Sequence, residues 1–519
     1  MPVPPTLFLA PDGADAGVLA AQIATAAGGD VESATTERRS VLDTFDWRVQ
    51  RGGLALERIA APGAEPHLLL RSWGEATPLA TSPLSVSPLD GELPRFAADL
   101  PAGRLGDRVR PLLDVRALTE VVAYDVVVHL VVVRNDDDKV VARVAVDDLG
   151  AGVVLVRALE VRGYDRAGAK ARKAIGAARC EPSADAGIDD GIEEALARTG
   201  RASGDRGGKL DLALDGAGPA AAGWIVVLRA LLGEIDANMA GTLADVDSEF
   251  LHDLRVAVRR SRSALRHAHG VLPHELLDCF RPELKWLQEI TGPSRDLDVY
   301  VLAADDDIAE LAESDRPSLE PFRAFLLERR ADAHRQLDDD LQSSAAAAIL
   351  ADWRHTLDSL AESIDDDEAG EWGEWPEGAH RPLADVAAHR IRRQHRKLVR
   401  EGKAITESSP AHQLHDLRKR GKELRYMLEL FGPVTKHDRT ASFVKALKGL
   451  QDVLGHFQDG EVQVHELRGW AEELAADGTT SASTLLAMGE LVERQQQRQD
   501  EARAAFAKQF DRFVAAGEP

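Results

Sequence analysis

Apolar and polar positions follow two rhythms along this chain, and the change falls near residue 200. Val126 to Val133, Val140 to Val146 and Val153 to Val161 are rich in β-branched residues, with Arg134-Asn135-Asp136-Asp137-Asp138 as a turn signal between the first two. They predict a hairpin followed by a third strand. Ser40 to Gln50, Leu54 to Ile59 and His67 to Trp73 are further short stretches, punctuated by Gly52-Gly53 and Pro62-Gly63, so an antiparallel sheet or barrel is expected. Ala167 to Ala178 and Gly187 to Ala197 then read as helices. Recurrent glycine between Gly200 and Pro219 marks a linker.

Beyond it the period becomes helical. His252, Arg255, Arg259, Arg262 and Arg266 are spaced 3, 4, 3 and 4, which at about 100° per residue confines them to an arc of roughly 80°. Leu254, Val258, Ser261 and Leu265 lie to one side of that arc, so the helix is amphipathic with a cationic stripe beside its packing face. The opening His252-Asp253-Leu254-Arg255 returns as His415-Asp416-Leu417-Arg418, 163 residues later. The same offset carries Arg262 to Arg425, Leu265 to Leu428, Leu284-Lys285 to Leu447-Lys448, Gln288 to Gln451, Gly292 to Gly455 and Asp296 to Asp459. A gapless match over about fifty residues predicts a duplicated helical unit. In the second copy His415, Arg418, Lys422 and Arg425 repeat the stripe, while Leu417, Leu424 and Leu428 repeat the packing side. The expected organisation is therefore α+β and multidomain: a β domain over 1–200, a linker over 201–218, and helical repeats over 219–362 and 381–513. An acidic linker over 363–380, containing Asp365-Asp366-Asp367, divides the repeats.

Charge sharpens the picture. The 519 residues carry 63 Lys and Arg against 87 Asp and Glu, a net charge of −24. Against that background the stripes are local exceptions, with only Asp253 between 252 and 266 and only Asp416 and Glu423 within 415–425. Like charges three and four apart on a helix repel by a few tenths of a kcal/mol per pair, so such a stripe opposes its own helix unless an anion sits on it. A third stretch, His389 to Lys403, holds Arg390, Arg392, Arg393, Arg396, Lys397, Arg400 and Lys403 against Glu401, whereas its counterpart, Val226 to Ala240, has only Arg229 as a base. A focused anion pocket is expected, since clefts lined by one sign of charge concentrate the field. Its candidates are the two stripes with Arg393, Lys397 and Arg400. His252 and His415 are open to two readings, as anion ligands or proton switches and as helix-start histidines bonded to a neighbour.

The residue types also limit the ligand. Arginine meets phosphate oxygens with a planar fork and lysine with a mobile point charge, whereas single-stranded nucleic-acid sites interleave aromatics with the bases. Neither stripe does so; Tyr426 and Trp286 stand isolated and read as core residues. The chain lacks a Gly-Lys-Ser/Thr phosphate loop, a His-Glu-x-x-His pair and cysteines at zinc spacing. The Asp runs at 136–138, 305–307, 338–340 and 365–367 read as solvated loops or helix ends. Cys180 and Cys279 fall in different expected domains, which argues against a disulfide framework and fits a reducing cytoplasm. Val121 to Val133, the most apolar run, contains Asp125 and His129 and is too short to span a bilayer.

The segments His252 to Arg266 and His415 to Leu428 resemble the two signature helices of the CHAD family, the conserved histidine α-helical domain, over roughly 219–513. That resemblance implies two pseudo-symmetric four-helix bundles, a basic groove between them, and inorganic polyphosphate as the partner, with no cofactor. Implied phosphate contacts are His252, Arg255, Arg259, Arg262, Arg266 and Lys285, with His415, Arg418, Lys422, Arg425 and Lys448. Nearer the N-terminus, Asp43-Thr44-Phe45-Asp46 and Val161-Arg162-Gly163-Tyr164 resemble the CYTH family of triphosphate tunnel enzymes over about 1–200. That family's first strand carries glutamates and a lysine, but here it reads Thr6-Leu7-Phe8-Leu9-Ala10, and Glu57 stands where a tunnel arginine is expected. Metal-assisted hydrolysis needs such carboxylates, so the expectation is a degenerate domain without catalytic or metal-binding residues. The function expected is non-enzymatic polyphosphate binding in the cytoplasm, at polyphosphate granules. The alternatives are a metal-dependent triphosphatase or polyphosphatase in the N-terminal domain, and a scaffold for RNA or protein.

Overall fold

The computed structural model describes residues 6–75, 78–83, 94–150, 152–159, 161–182, 189–206, 210, 212–310, 313, 316–364, 370–435, 440–476, 478 and 480–519. The chain divides into two compact units, Met1–Lys209 and Leu210–Pro519. The Asp365 to Asp367 run lies outside the described residues.

In the first unit the chain runs β1 (Thr6–Leu9), α1 (Ala16–Ala27), β2 (Asp30–Thr44), α2 (Arg48–Arg51), β3 (Leu54–Ala60), β4 (His67–Ser72) and β5 (Pro78–Pro83). It continues through α3 (Arg104–Leu113), β6 (Leu118–Arg134), β7 (Val140–Asp148), β8 (Val154–Leu159), α4 (Asp165–Ala177), β9 (Glu181–Pro182) and α5 (Asp190–Ala197). The strands form one antiparallel sheet in the order β5-β4-β3-β2-β6-β7-β8-β1-β9. Its spine is the pairing of the two long strands, from Asp30 opposite Val132 to Thr44 opposite Leu118. The β6–β7 turn closes as the Asn135-Asp136-Asp137-Asp138 signal demands: Asn135 N donates to Lys139 O at 2.9 Å, and Asp138 takes the left-handed conformation at φ 59°.

Several expected boundaries move. The strand expected at Ser40 to Gln50 instead begins at Asp30 and stops at Thr44, because the Asp43 carboxylate accepts from the amides of Thr44, Val49 and Gln50 and turns the chain into α2. The family-like Asp-Thr-x-Asp motif is thus a structural turn here, in which Thr44 Oγ1 donates to Asp46 and Asp46 holds Arg48 at 2.9 Å. Burial raises the Asp43 carboxyl from 3.8 to about 6, against the three amides. Helices α1 and α3 and strand β5 lie in stretches that carried no expected element. Part of the expected linker belongs to this unit, since Trp47 Nε1 donates to Asp205 at 2.8 Å.

The second unit is helical: α6 (Ala220–Leu243), α7 (Ser248–His267), α8 (His274–Ile290), α9 (Gly292–Glu310), α10 (Glu320–Leu341), α11 (Ser344–Glu362), α12 (Leu383–Gly402), α13 (Ala411–Phe431), α14 (Thr440–Ala476) and α15 (Ala482–Ala515). Shifted by 163 residues, α6 and α7 fall on α12 and α13, α8 and α9 together on α14, and the start of α10 on the start of α15. Each copy is thus four helical arms, two of them broken in the first copy. One break falls at Thr291, where Gly292-Pro293 follows and Pro293 takes the first turn of α9, the helix position that proline favours. The other falls at Ser343, whose side chain accepts from Ala346 N and caps α11.

The copies are joined about a local two-fold relation. Pro219 and Pro382, equivalent at the 163 offset, form an isolated antiparallel bridge. Ala220 N donates to Arg381 O at 2.8 Å and its equivalent, Leu383 N, donates to Gly218 O at 2.9 Å; Ala221 N to Ala379 O and Ala384 N to Gly216 O repeat the exchange. These bonds occupy amides that helix starts leave open. One apolar core runs through both copies, from Trp224 and Leu228 to Leu424, Phe431 and Phe513, with Trp224 stacked on Phe431 at 4.2 Å. The expected acidic linker is anchored at two points of its described part: Trp375 is buried and donates to Ser363 O, and Ala379 is buried. Trp224→Ala should cost the helical unit about 3–5 kcal/mol, read as a lower denaturation midpoint for that unit's transition. An unchanged midpoint would mean the two-fold joint does not depend on this stack.

Candidate anion-binding surface

Asp247 caps α7, accepting from Glu249 N at 2.9 Å and Phe250 N at 3.3 Å, and so sets the helix register. Leu254, Val258, Ser261 and Leu265 are buried, and the Ser261 hydroxyl is absorbed by Ala257 O at 2.9 Å. With that face fixed, the stripe is fixed too, but its two ends do different things. Arg255 donates to Gln288 O and Thr291 Oγ1, both at 3.0 Å, and ties α7 to the end of α8. In the second copy Arg418 pairs with Asp459 at 3.0 Å and His415 Nδ1 bonds Gln458 Oε1. His252 is half-buried.

The middle and C-terminal parts of the stripes face open space. Arg259, Arg262 and Arg266 of α7 and Lys419, Arg420, Lys422, Glu423 and Tyr426 of α13 line a cavity of about 900 Å³, with Gln288 and Glu401. A second, of about 800 Å³, is lined by Arg266, His267, His269, Arg381, His389, Arg390, Arg393, Lys397, Arg420 and Glu423. Arg262, Arg266, Arg281 and Lys285 line a third of about 340 Å³. Arg259, Arg262, Arg266, Lys285, Arg393, Lys397 and Lys422 are therefore brought to these spaces. His252, Arg255, His415, Arg418, Arg425, Arg400 and Lys448 are not among their linings. Arg425 is held by Glu429 at 2.6 Å, Arg400 is exposed beside Glu401, and Lys448 is exposed.

At the centre stand two cations at one repeat position. Arg259 and Lys422, 163 residues apart, have no hydrogen-bond or ion-pair partner among the described residues, and Arg259 Nε is buried without an acceptor. Burial, with Arg418, Arg259 and Arg425 nearby, lowers the Lys422 amine from 10.5 to about 8; Asp459 opposes this. Burial likewise lowers Arg255 to about 10, despite Asp296, and Arg390 to about 10 beside Arg393 and Arg381. The His267 imidazole, buried beside Arg390, Arg266 and Arg393, falls to about 4 despite Glu423. Desolvated like charges of this kind are relieved by an anion.

The sheet unit, by contrast, has its buried charges committed to one another. Glu57 bonds Arg71 at 2.7 Å and Tyr124, Arg71 reaches Asp189 at 2.6 Å, and Asp147 holds Arg157 at 2.6 Å with Arg39 at 3.8 Å. Burial opposes the charge on Glu57, but Arg71 and Arg39 hold its carboxyl below the usual range. No group of three or more His, Cys, Asp or Glu among the described residues could hold a metal ion. The residues present do not fit a bound divalent metal, since the buried carboxylates Glu57 and Asp147 are already neutralised by adjacent arginines, whose charge would repel a cation.

A protein-family model for the CHAD domain matches residues 226–468, spanning both stripes and the cavities' α7 and α13 walls. Residues 226–468 are a CHAD domain. Among curated proteins no sequence matches the chain significantly. Similar solved structures include the CHAD domain of the plant Ricinus communis, at 21% identity and TM-score 0.44, covering 59% of this chain and 93% of that one. PptA from Streptomyces chartreusis matches at 20% identity and TM-score 0.40, covering 56% and 99%. A Hippeastrum adenylyl cyclase-like protein described as having dominant triphosphatase activity matches at 14% and 0.27, covering 38% and 96%.

Within the CHAD domain several lining residues escaped the sequence reading. Arg281, Arg381 and Arg420 lie off the repeated stripe, and Arg281 also donates to Leu265 O at 3.1 Å. Tyr426, read as core, lines the large cavity, while Trp286 packs against the core as expected. No helix is long and apolar enough to cross a membrane among the described residues. The Lys422 amine should titrate near pH 8 in side-chain NMR, and an added oligophosphate should raise that midpoint; a midpoint near 10.5 would contradict the crowded cationic cluster. Because folding lowers this pKa, Lys422 costs stability while the amine is charged in both states. That cost is relieved as pH rises from about 8 toward 10.5, a gain that Lys422→Met should remove from the pH dependence of unfolding.

Proposed function

We propose that the CHAD domain of this chain binds inorganic polyphosphate, without chemistry, in the cavities between α7, α12 and α13. The carrying observation is Arg259 and Lys422, cations at one repeat position on a common cavity with no partner among the described residues. Around them Arg262, Arg266, Arg393 and Lys397 extend the basic surface into the neighbouring spaces. A linear polyanion of equivalent phosphates suits this surface, because each cation can meet any phosphate and no base needs to be read. Tyr426 is the one aromatic among the named linings of the large cavity, too few for a stack of bases. The net charge of −24 acts against promiscuous binding of long polyanions elsewhere on the surface. A cytoplasmic setting at polyphosphate granules belongs to the same reading.

Binding of long-chain polyphosphate should weaken steeply with salt, as counterion release requires, and should survive excess DNA as competitor. Arg259→Glu with Lys422→Glu should reduce affinity by at least about a hundredfold, two charge-assisted contacts being lost and two repulsions gained. Trp286→Ala should change affinity by less than about threefold, since it removes no charge from the cavities. No binding by the wild-type chain, or equal preference for DNA, would overturn the reading.

A further inference from the structure

The two large cavities share three residues, Arg266, Arg420 and Glu423, which therefore stand on the divide between them. Their charges alternate across it. Arg266 of α7 donates to one oxygen of Glu423, and Arg420 of α13 reaches the other at 3.3 Å and bonds Glu401 of α12 at 3.4 Å. Glu423 is nearly buried, its side chain 9% exposed, while Arg266 is 58% exposed. A carboxylate thus occupies the place where a chain of phosphates crossing from one cavity to the other would need a cation.

The repeat explains its origin. Position 423 corresponds to Arg260 in the first copy and position 429 to Arg266. Arg260 pairs with Glu429 at 2.7 Å, and the equivalent positions, Arg266 and Glu423, pair in turn. The α7–α13 contact is therefore reciprocal, as a two-fold interface must be, with arginine at both positions of one helix and glutamate at both of the other. One of the two ion pairs falls off the three cavities and the other falls between the large ones.

We propose that Glu423 is a specificity-determining latch: it divides the basic surface into two short-anion sites, and only a chain long enough to displace it from Arg266 and Arg420 occupies both. This rests on the phosphate-binding reading above. Displacement exchanges two carboxylate contacts for two phosphate contacts, so closed and threaded states are close in energy and chain length decides between them.

Titration calorimetry of the wild-type chain with tripolyphosphate should give two molecules bound per protein, and a stoichiometry of one would overturn the division. In Glu423→Gln, affinity for long-chain polyphosphate should rise roughly tenfold, about the worth of one charge-assisted hydrogen bond, with a steeper salt dependence. Its affinity for tripolyphosphate should rise several-fold less than that for the long chain, since a short anion is freed of the carboxylate's repulsion at one site but needs no passage across the divide, and an equal rise for both would overturn the latch. Asp358→Asn serves as the charge-matched control: it releases the remote Arg229, paired with Asp358 at 2.7 Å, and should leave long-chain affinity within about twofold of wild type, as expected for an exposed pair. Unchanged or weaker long-chain binding in a folded Glu423→Gln protein, or an equal gain in Asp358→Asn, would overturn the latch while leaving polyphosphate binding intact. A wild-type chain that binds no polyphosphate would instead remove the underlying reading. Should Glu423→Gln not fold, the wild-type stoichiometry still decides.

Discussion

Everything in the helical unit hangs on the reciprocal backbone exchange at the starts of α6 and α12. A helix start has amides with no partner inside the helix, and here each copy satisfies the other's: Ala220 and Ala221 donate to Arg381 and Ala379, Leu383 and Ala384 to Gly218 and Gly216. Pro219 and Pro382 sit at the crossing, where a missing amide costs nothing. Because the exchange is symmetric, whatever one copy presents near the joint the other presents too. The core then closes over it, with Trp224 of α6 against Phe431 of α13.

That symmetry creates the electrostatic problem that defines the surface. Bringing α7 against α13 sets equivalent positions near one another, and where the repeat has kept a cation in both copies, as at Arg259 and Lys422, like charges share one cavity. Where the copies have diverged, to arginine at 260 and 266 and to glutamate at 423 and 429, the same geometry crosses the positions and yields two ion pairs, Arg260 with Glu429 and Arg266 with Glu423. The chain therefore resolves the repulsion at some positions internally and leaves it standing at others. The unresolved positions are those with space in front of them.

The sheet unit shows the opposite outcome from comparable raw material. Its buried arginines and carboxylates are matched within the sheet, with Glu57 between Arg71 and Tyr124 and Asp147 between Arg157 and Arg39. Burying ion pairs earns little net stability, yet it leaves few of these groups available to an external anion or metal. The Asp43-Thr44-Phe45-Asp46 sequence, which resembles a tunnel-enzyme motif, is consumed in turning the chain from β2 into α2.

The amino-acid order alone determined the duplication, the amphipathic register of α7 and α13, and the hairpin turn at 135–138. Each is local: a constant offset, a 3.6-residue period and an Asn-Asp turn act through neighbours in the chain. Seven of the fourteen candidate cations and histidines reached the cavities, because a stripe records a helix face but not how far along that face the partner helix stands clear. Arg255 and Arg418 belong to the stripe yet are spent on the ends of α8 and on Asp459. Arg420 and Tyr426 lie off the stripe yet face the space. The breaks in the first copy's long arms, the two-fold joint and the placing of Glu423 between two basic cavities were decided only in the tertiary structure. They depend on which side chains meet across helices more than 150 residues apart in the chain, and partner choice at that distance is set by the crossing of packed helices rather than by any local period.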